Sequence, residues 1–184
     1  MNAKRLKKAM VISISVITIL YVAFCILFYT SQENFLFPAK KIADDYKIDS
    51  SLNFEELTLK VSDDVQLSGI LFNANQPKGI VLHFHGNEQN ILDMESLAKP
   101  LIGMGYSFVS MDYRTYGKST GKLSEENLFL DAKLFLELLE KRGWKQSDII
   151  LMGHSIGTGI ATQLASISNT KALILYAPYY TFKD

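Results

Sequence analysis

The segment from Ile149 to Ser166 constrains this chain more than any other. A short apolar run, Ile149–Met152, passes directly into Gly153-His154-Ser155-Ile156-Gly157 and then into a stretch carrying Gly159, Ala161 and Ala165. So short an apolar run reads as a strand. The small residues over Ile156–Ser166 suit a helix packed closely against its neighbours. Gly153 and Gly157 flank a turn so tight that side chains there would collide with strand and helix. In this strand–turn–helix setting the G-x-S-x-G pattern lifts a serine hydroxyl above the sheet, which makes Ser155 a candidate nucleophile. The plainer alternative is a glycine-rich turn with a structural serine.

The same alternation extends upstream. Phe54–Val61 and Val65–Phe72 alternate like strands around an Asp63-Asp64 turn, as in a hairpin. Gly79–His85 is a continuous apolar run, and Tyr106–Met111 is a further strand. Between them Asp93–Met104 has helical character, interrupted by Pro100 and closed by Gly103 and Gly105. The clearest helix begins at Ser124, a good N-cap followed by Glu125 and Glu126, whose charges suit the positive end of the helix dipole. Leu123 and Leu128 occupy the two positions of a hydrophobic staple. Leu128, Ala132, Phe135 and Leu139 share one face, Lys141 and Arg142 fill the last turn, and Gly143 supplies the stop. Ala172–Ala177 is a last strand. Strands alternating with helices imply right-handed crossovers and a mostly parallel central sheet flanked by helices.

The N-terminal region follows different rules. From Ala9 to Gln32 there are 24 positions without a charge. As a helix they would span ~36 Å, against roughly 30 Å of bilayer hydrocarbon. Lys4, Arg5, Lys7 and Lys8 precede the run, whereas only Glu33, Lys40 and Lys41 follow closely, which keeps the N-terminus cytoplasmic and places the following domain on the periplasmic or extracytoplasmic side. A cleaved signal peptide is the rival, but its apolar core is usually about 7–15 residues and ends in small residues. Val11–Tyr29 is longer, and Phe28-Tyr29-Thr30 is a poor cleavage site. Bulky Phe24 before Cys25 argues against a lipoprotein, and the unbroken apolar stretch argues against a buried core helix. The expected organisation is a basic segment (1–8), a transmembrane anchor (9–30), a connector (31–51) containing Phe35-Leu36-Phe37-Pro38, and an α/β domain (52–184). Cys25, the only cysteine, lies in the anchor, so no disulfide framework or cysteine nucleophile is expected in the domain. Nineteen basic and nineteen acidic residues cancel, leaving no electrostatic footprint for nucleic acid.

His83-Phe84-His85-Gly86-Asn87 ends the Gly79–His85 strand. A His-Gly pair at a strand tip suits an oxyanion-hole loop, where bare backbone at Gly86 lets an N–H approach a developing negative oxygen. His83 and His85 share a strand face, but only His154 is left to complete a metal set, so no metal is expected.

These residues together resemble the Bem46/ABHD13–ABHD17-like branch of the α/β-hydrolase superfamily. The resemblance rests on His85-Gly86-Asn87, on Asp112-Tyr113-Arg114 with Tyr116-Gly117-Lys118-Ser119 and Gly121, and on Gly153-His154-Ser155-Ile156-Gly157-Thr158-Gly159. It covers about Phe35 to the C-terminus and implies an α/β-hydrolase fold. Ser155 would be the nucleophile, and the N–H groups of Asn87 and Ile156 would be the oxyanion donors. Asp112 and Arg114 would be structural, not the triad acid. Members often carry an N-terminal anchor followed by an aromatic-proline segment. Glu88 and Gln89 stand where small residues are usual, and Thr115 where glycine is usual.

In this fold the triad runs serine, acid, histidine. The three histidines here are His83, His85 and His154, and none follows Ser155; Asp184 is the only acid that does. A serine hydroxyl without a base is a weak nucleophile. The expectation is therefore a truncated copy of a membrane-anchored serine hydrolase, with neither triad acid nor histidine in this chain. It would act on a carboxylic ester or thioester through an acyl-serine. The alternatives are a non-catalytic binding protein that keeps the half-fold, and His85 acting as base. No cofactor is expected; the expected partners are an acyl substrate and the bilayer.

Overall fold

The computed structural model describes residues 3–36 and 38–179. The chain divides into two compact units, residues 1–38 and 39–184. The first is a single helix, α1 (Ala3–Leu36). Its section Lys7–Ser31 holds an 18-residue stretch of mean hydropathy 2.7 and is long and apolar enough to cross a membrane. The hydroxyls of Thr18 and Thr30 donate to the carbonyls of Ile14 and Leu27 at 2.9 and 3.0 Å, so these polar groups are satisfied within the helix. The helix continues past residue 30 because the first breaker is Pro38, which disfavours helical backbone at the residue before it. Phe37 and the side chains of Phe35 and Leu36 lie outside the described residues.

The second unit is built on six strands: β1 (Phe54–Lys60), β2 (Gln66–Phe72), β3 (Ile80–Phe84), β4 (Ser107–Met111), β5 (Ile149–His154) and β6 (Ala172–Tyr176). Their order is β1-β2-β4-β3-β5-β6. The β1/β2 and β2/β4 pairs are antiparallel, and β4, β3, β5 and β6 run parallel. Three helices, α2 (Glu95–Gly103), α3 (Glu125–Lys141) and α4 (Gly157–Ala165), make the crossovers. β3 and β4 are buried at every position, His83, Ser107 and Ser110 included. β1, at one edge, buries only Leu57. β6, at the other, leaves Leu173, Ile174 and Leu175 about 40% exposed among the described residues.

One core cluster gathers Ile70, Phe72, Val81, Phe108, Ile91, Met94 and Ala98, with Ile42 from the expected connector. Residues 40–42 are thus part of the domain: Ile42 N–H donates to Gly117 O, Gly117 N–H to Lys40 O, and Lys41 Nζ to Ser119 O. Under α3, Phe135 lies against Gly69 of β2, where a Cβ would come within 2.9 Å of the ring. Ser124 caps α3 as expected, its Oγ accepting from Asn127 N–H at 3.2 Å. The expected interruption at Pro100 does not occur. α2 runs through it, with the ring on the solvent side while Ala98 and Leu97 hold the helix on the core.

The chain passes from β3 to β4 on one side, then crosses over β3 to β5 on the other. That reversal opens a crevice at the C-terminal ends of β3 and β5, the usual place for a ligand in an open α/β sheet.

Candidate active site

Two segments of sequence interest meet at this crevice. β5 runs to His154, Ser155 takes a left-handed backbone at φ +51°, and α4 starts two residues later. A non-glycine residue in this region costs energy and persists only where its surroundings impose it. Here the Ser155 N–H donates to Tyr176 O at the end of β6 at 3.0 Å. The Ser155 carbonyl accepts from Thr158 N–H at 3.0 Å and from Thr158 Oγ1 at 2.6 Å. A Cβ on Gly153 would overlap the Gly157 carbonyl, and one on Gly157 would overlap the Phe84 carbonyl of β3. These two positions let α4 start hard against the sheet. Ile156 is the N-cap of α4, and among the described residues its N–H donates to no backbone acceptor.

The other segment is the loop leaving β3. His85 is wholly buried against Tyr113, the rings tilted by 35° with centroids 4.1 Å apart, and its backbone carbonyl accepts from Tyr113 Oη at 2.6 Å. Its Nδ1 lies 2.7 Å from Gly86 O. A carbonyl only accepts, so Nδ1 carries the proton. Nε2 then bears the lone pair and faces Asp112 Oδ1 at 3.8 Å, without a hydrogen-bond partner among the described residues. Burial pushes the His85 pKa down to about 4, partly opposed by the Gly86 carbonyl. His83 is pushed down to about 3 by burial first and by the neighbouring His85 and His154 second. Both rings are neutral near pH 7, and His83 Nδ1 lies 3.2 Å from Ser110 Oγ.

Asp112 is fully buried and ties separate segments together. Its carboxylate accepts from Ser68 Oγ at 2.9 Å and from Ile91 N–H at 2.9 Å, and the Lys118 N–H also bonds it. Burial outweighs these donors and raises its pKa to about 7. Arg114, in the same loop, forms a two-pronged pair with Asp131 of α3: Nε to Oδ2 at 2.9 Å and Nη2 to Oδ1 at 2.8 Å. Both carboxyl groups are engaged in hydrogen bonds within the domain. Thr115, where glycine was expected, adopts φ +74°.

The sequence did not assign a role to Gln89. Its Oε1 accepts from Gly86 N–H at 3.0 Å and lies 2.8 Å from His154 Nδ1, joining the loop to the elbow. Its one sequence signal was the departure from a small residue. The Tyr176 carbonyl that receives the Ser155 N–H left no signal, because every residue has a carbonyl. Asp184 lies outside the described residues.

Residues 75–184 match the profile of a hydrolase family described as serine aminopeptidase, S33. The alpha/beta hydrolase domain-containing protein aho-3 of Caenorhabditis elegans is 41% identical over 103 residues, covering 53% of this chain and 30% of that protein. Protein bem46 of Schizosaccharomyces pombe is 31% identical over 145 residues, covering 73% of this chain and 47% of that protein. The chain thus spans about half or less of the length of these relatives. Among solved structures, a soluble variant of monoglyceride lipase from Saccharomyces cerevisiae superposes with a TM-score of 0.59 at 21% identity, covering 74% of this chain and 48% of that one. That likeness concerns the fold.

Proposed function

The chain belongs to the serine aminopeptidase S33 family of α/β-hydrolases, in its Bem46/ABHD-like branch, and on that footing we propose that it carries the nucleophile half of a membrane-anchored serine hydrolase. Ser155 attacks the carbonyl of a carboxylic ester or thioester, the N–H groups of Asn87 and Ile156 receive the oxyanion, and the bond to the departing alcohol or thiol breaks to leave an acyl-serine. The observation that carries this is the left-handed backbone of Ser155 at the junction of β5 and α4, imposed by the Tyr176 and Thr158 hydrogen bonds.

The donors follow from backbone geometry. The Gly86 carbonyl is engaged by His85 Nδ1–H and by Gln89 N–H at 3.3 Å. In a trans peptide the N–H of Asn87 lies opposite that carbonyl, so the same two bonds aim it the other way. Ile156 N–H stands at the positive end of α4.

No histidine follows Ser155, and His85 has one ring nitrogen protonated and the other facing Asp112. None of the histidines of this sequence then serves Ser155 as base. The 184-residue chain alone should react with a fluorophosphonate no faster than an ordinary serine. Adding a C-terminal segment bearing an acid and a histidine from a relative should raise labelling by orders of magnitude, with strict dependence on Ser155. Fast Ser155 labelling of the unextended chain would refute this assignment of the base. A second reading, a binding protein that keeps the half-fold, requires the extended chain to stay unreactive.

The basic residues before Ala9 place the N-terminus in the cytoplasm and the domain outside it. External protease on sealed spheroplasts should then digest the domain, and full protection would reverse the orientation.

A further inference from the structure

Gln89 sits three residues beyond Gly86, and its side chain folds back over the turn it closes. Gln89 N–H bonds Gly86 O, and Gln89 Oε1 bonds Gly86 N–H. Because a backbone N–H can only donate, the amide atom facing Gly86 is the oxygen. The same oxygen lies 2.8 Å from His154 Nδ1, so that nitrogen must also donate. His154 also lies against the Tyr176 ring, tilted by 36° with centroids 5.0 Å apart. A Cβ on Gly86 would come 3.0 Å from His154 Nδ1 and 3.2 Å from Gln89 Oε1, so loop, amide and imidazole are in contact. Each end of the clasp is one residue from a group assigned to the reaction: Gly86 precedes Asn87, and His154 precedes Ser155.

We infer that Gln89 is a positioning residue, which clasps the Gly86–Asn87 loop to the His154–Ser155 elbow and holds His154 as its Nδ1–H tautomer. The amide oxygen does this by accepting two hydrogen bonds at once from segments that lie far apart in sequence. It thereby sets the separation between the attacking hydroxyl and the Asn87 N–H. A misplacement near 1 Å in such a pair can cost ~10²-fold in rate. A role in the reaction presupposes Ser155 as nucleophile, whereas the clasp itself does not.

Three histidines make the test tractable. In the full chain in detergent micelles, with 15N-labelled histidine, long-range 1H–15N spectra read each imidazole's tautomer. Wild-type His154 should be Nδ1–H. Gln89→Leu should convert it to the Nε2–H form, and Gln89→Glu, which keeps an acceptor oxygen, should restore Nδ1–H. In the chain extended by the relative's acid- and histidine-bearing segment, labelling of Ser155 by a fluorophosphonate, followed by mass spectrometry, should slow about tenfold or more in Gln89→Leu and recover in Gln89→Glu. An Nε2–H tautomer in the wild type overturns the clasp without recourse to any variant. A tautomer that responds while Ser155 labelling does not overturns the positioning role. If labelling proves indifferent to Ser155→Ala, the nucleophile assignment fails, and the tautomer series still decides the clasp.

Discussion

Replacing Asp131 with alanine would leave the Arg114 guanidinium buried without its counter-charge. Asp131 is fully buried and Arg114 is 9% exposed, and the two share hydrogen bonds of 2.8 and 2.9 Å. The Asp131 carboxyl is held above its ordinary pKa because burial outweighs the guanidinium beside it. The pair is therefore expensive to desolvate, and most of the damage from removing one partner comes from stranding the other. Breaking a buried pair in this way costs about 3–5 kcal/mol, and about 2–4 °C is lost per kcal/mol in a domain of this size, giving a drop of roughly 6–20 °C. The pair fastens the loop after β4 to α3, so the loss should be global. Trp144, the only tryptophan, is half-buried just beyond α3, and its fluorescence reports unfolding in urea. The double variant Arg114→Met with Asp131→Leu should recover most of the loss, because well-packed apolar replacements of a buried pair are often neutral or better. A cost below about 1 kcal/mol for Asp131→Ala, on the scale of an exposed ion pair, would refute the assignment of a buried, scaffold-holding role.

Two further outcomes follow from single groups. Thr115→Gly should stabilise the domain, because a left-handed backbone costs a β-branched residue ~1–2 kcal/mol while glycine gives back ~0.5–1 through unfolded-state entropy; a lower urea midpoint would contradict the strain at φ +74°. Stability should fall as pH drops from 6.5 to 4, since the unfolded chain protonates His83 and His85 while the folded chain, with values of about 3 and 4, does not. Asp112 opposes this, keeping its proton when folded up to about 7 and losing it above 3.8 when unfolded. Asp131, also raised, opposes it as well; the two histidines outweigh the two carboxyls across that window, and a flat urea midpoint between pH 6.5 and 4.5 would contradict it.

Much of the fold was legible because its signals are local. The β5-turn-α4 elbow is written in consecutive residues, as apolar run, glycine, serine, glycine and small residues. The Ser124 cap reaches only to Asn127, three residues on. The charge-free run needs only a count. Pro100 was misleading because propensity weighs its missing N–H and its ring clash, whereas packing of Ala98 on the core keeps α2 continuous.

The sequence alone determined the alternation of strands and helices, the apolar helix before them and the serine on its turn, because periodicity, capping and turn chemistry act within a few residues. Only the tertiary structure decided that Lys40–Ile42 closes on Gly117, that Asp112 meets Ser68 across 44 residues, and that Gln89 meets His154 across 65. Those meetings depend on the order β1-β2-β4-β3-β5-β6, which the long crossovers set. A buried carboxylate or amide must be satisfied by whichever donors that order brings to it. No short-range pattern names those donors in advance.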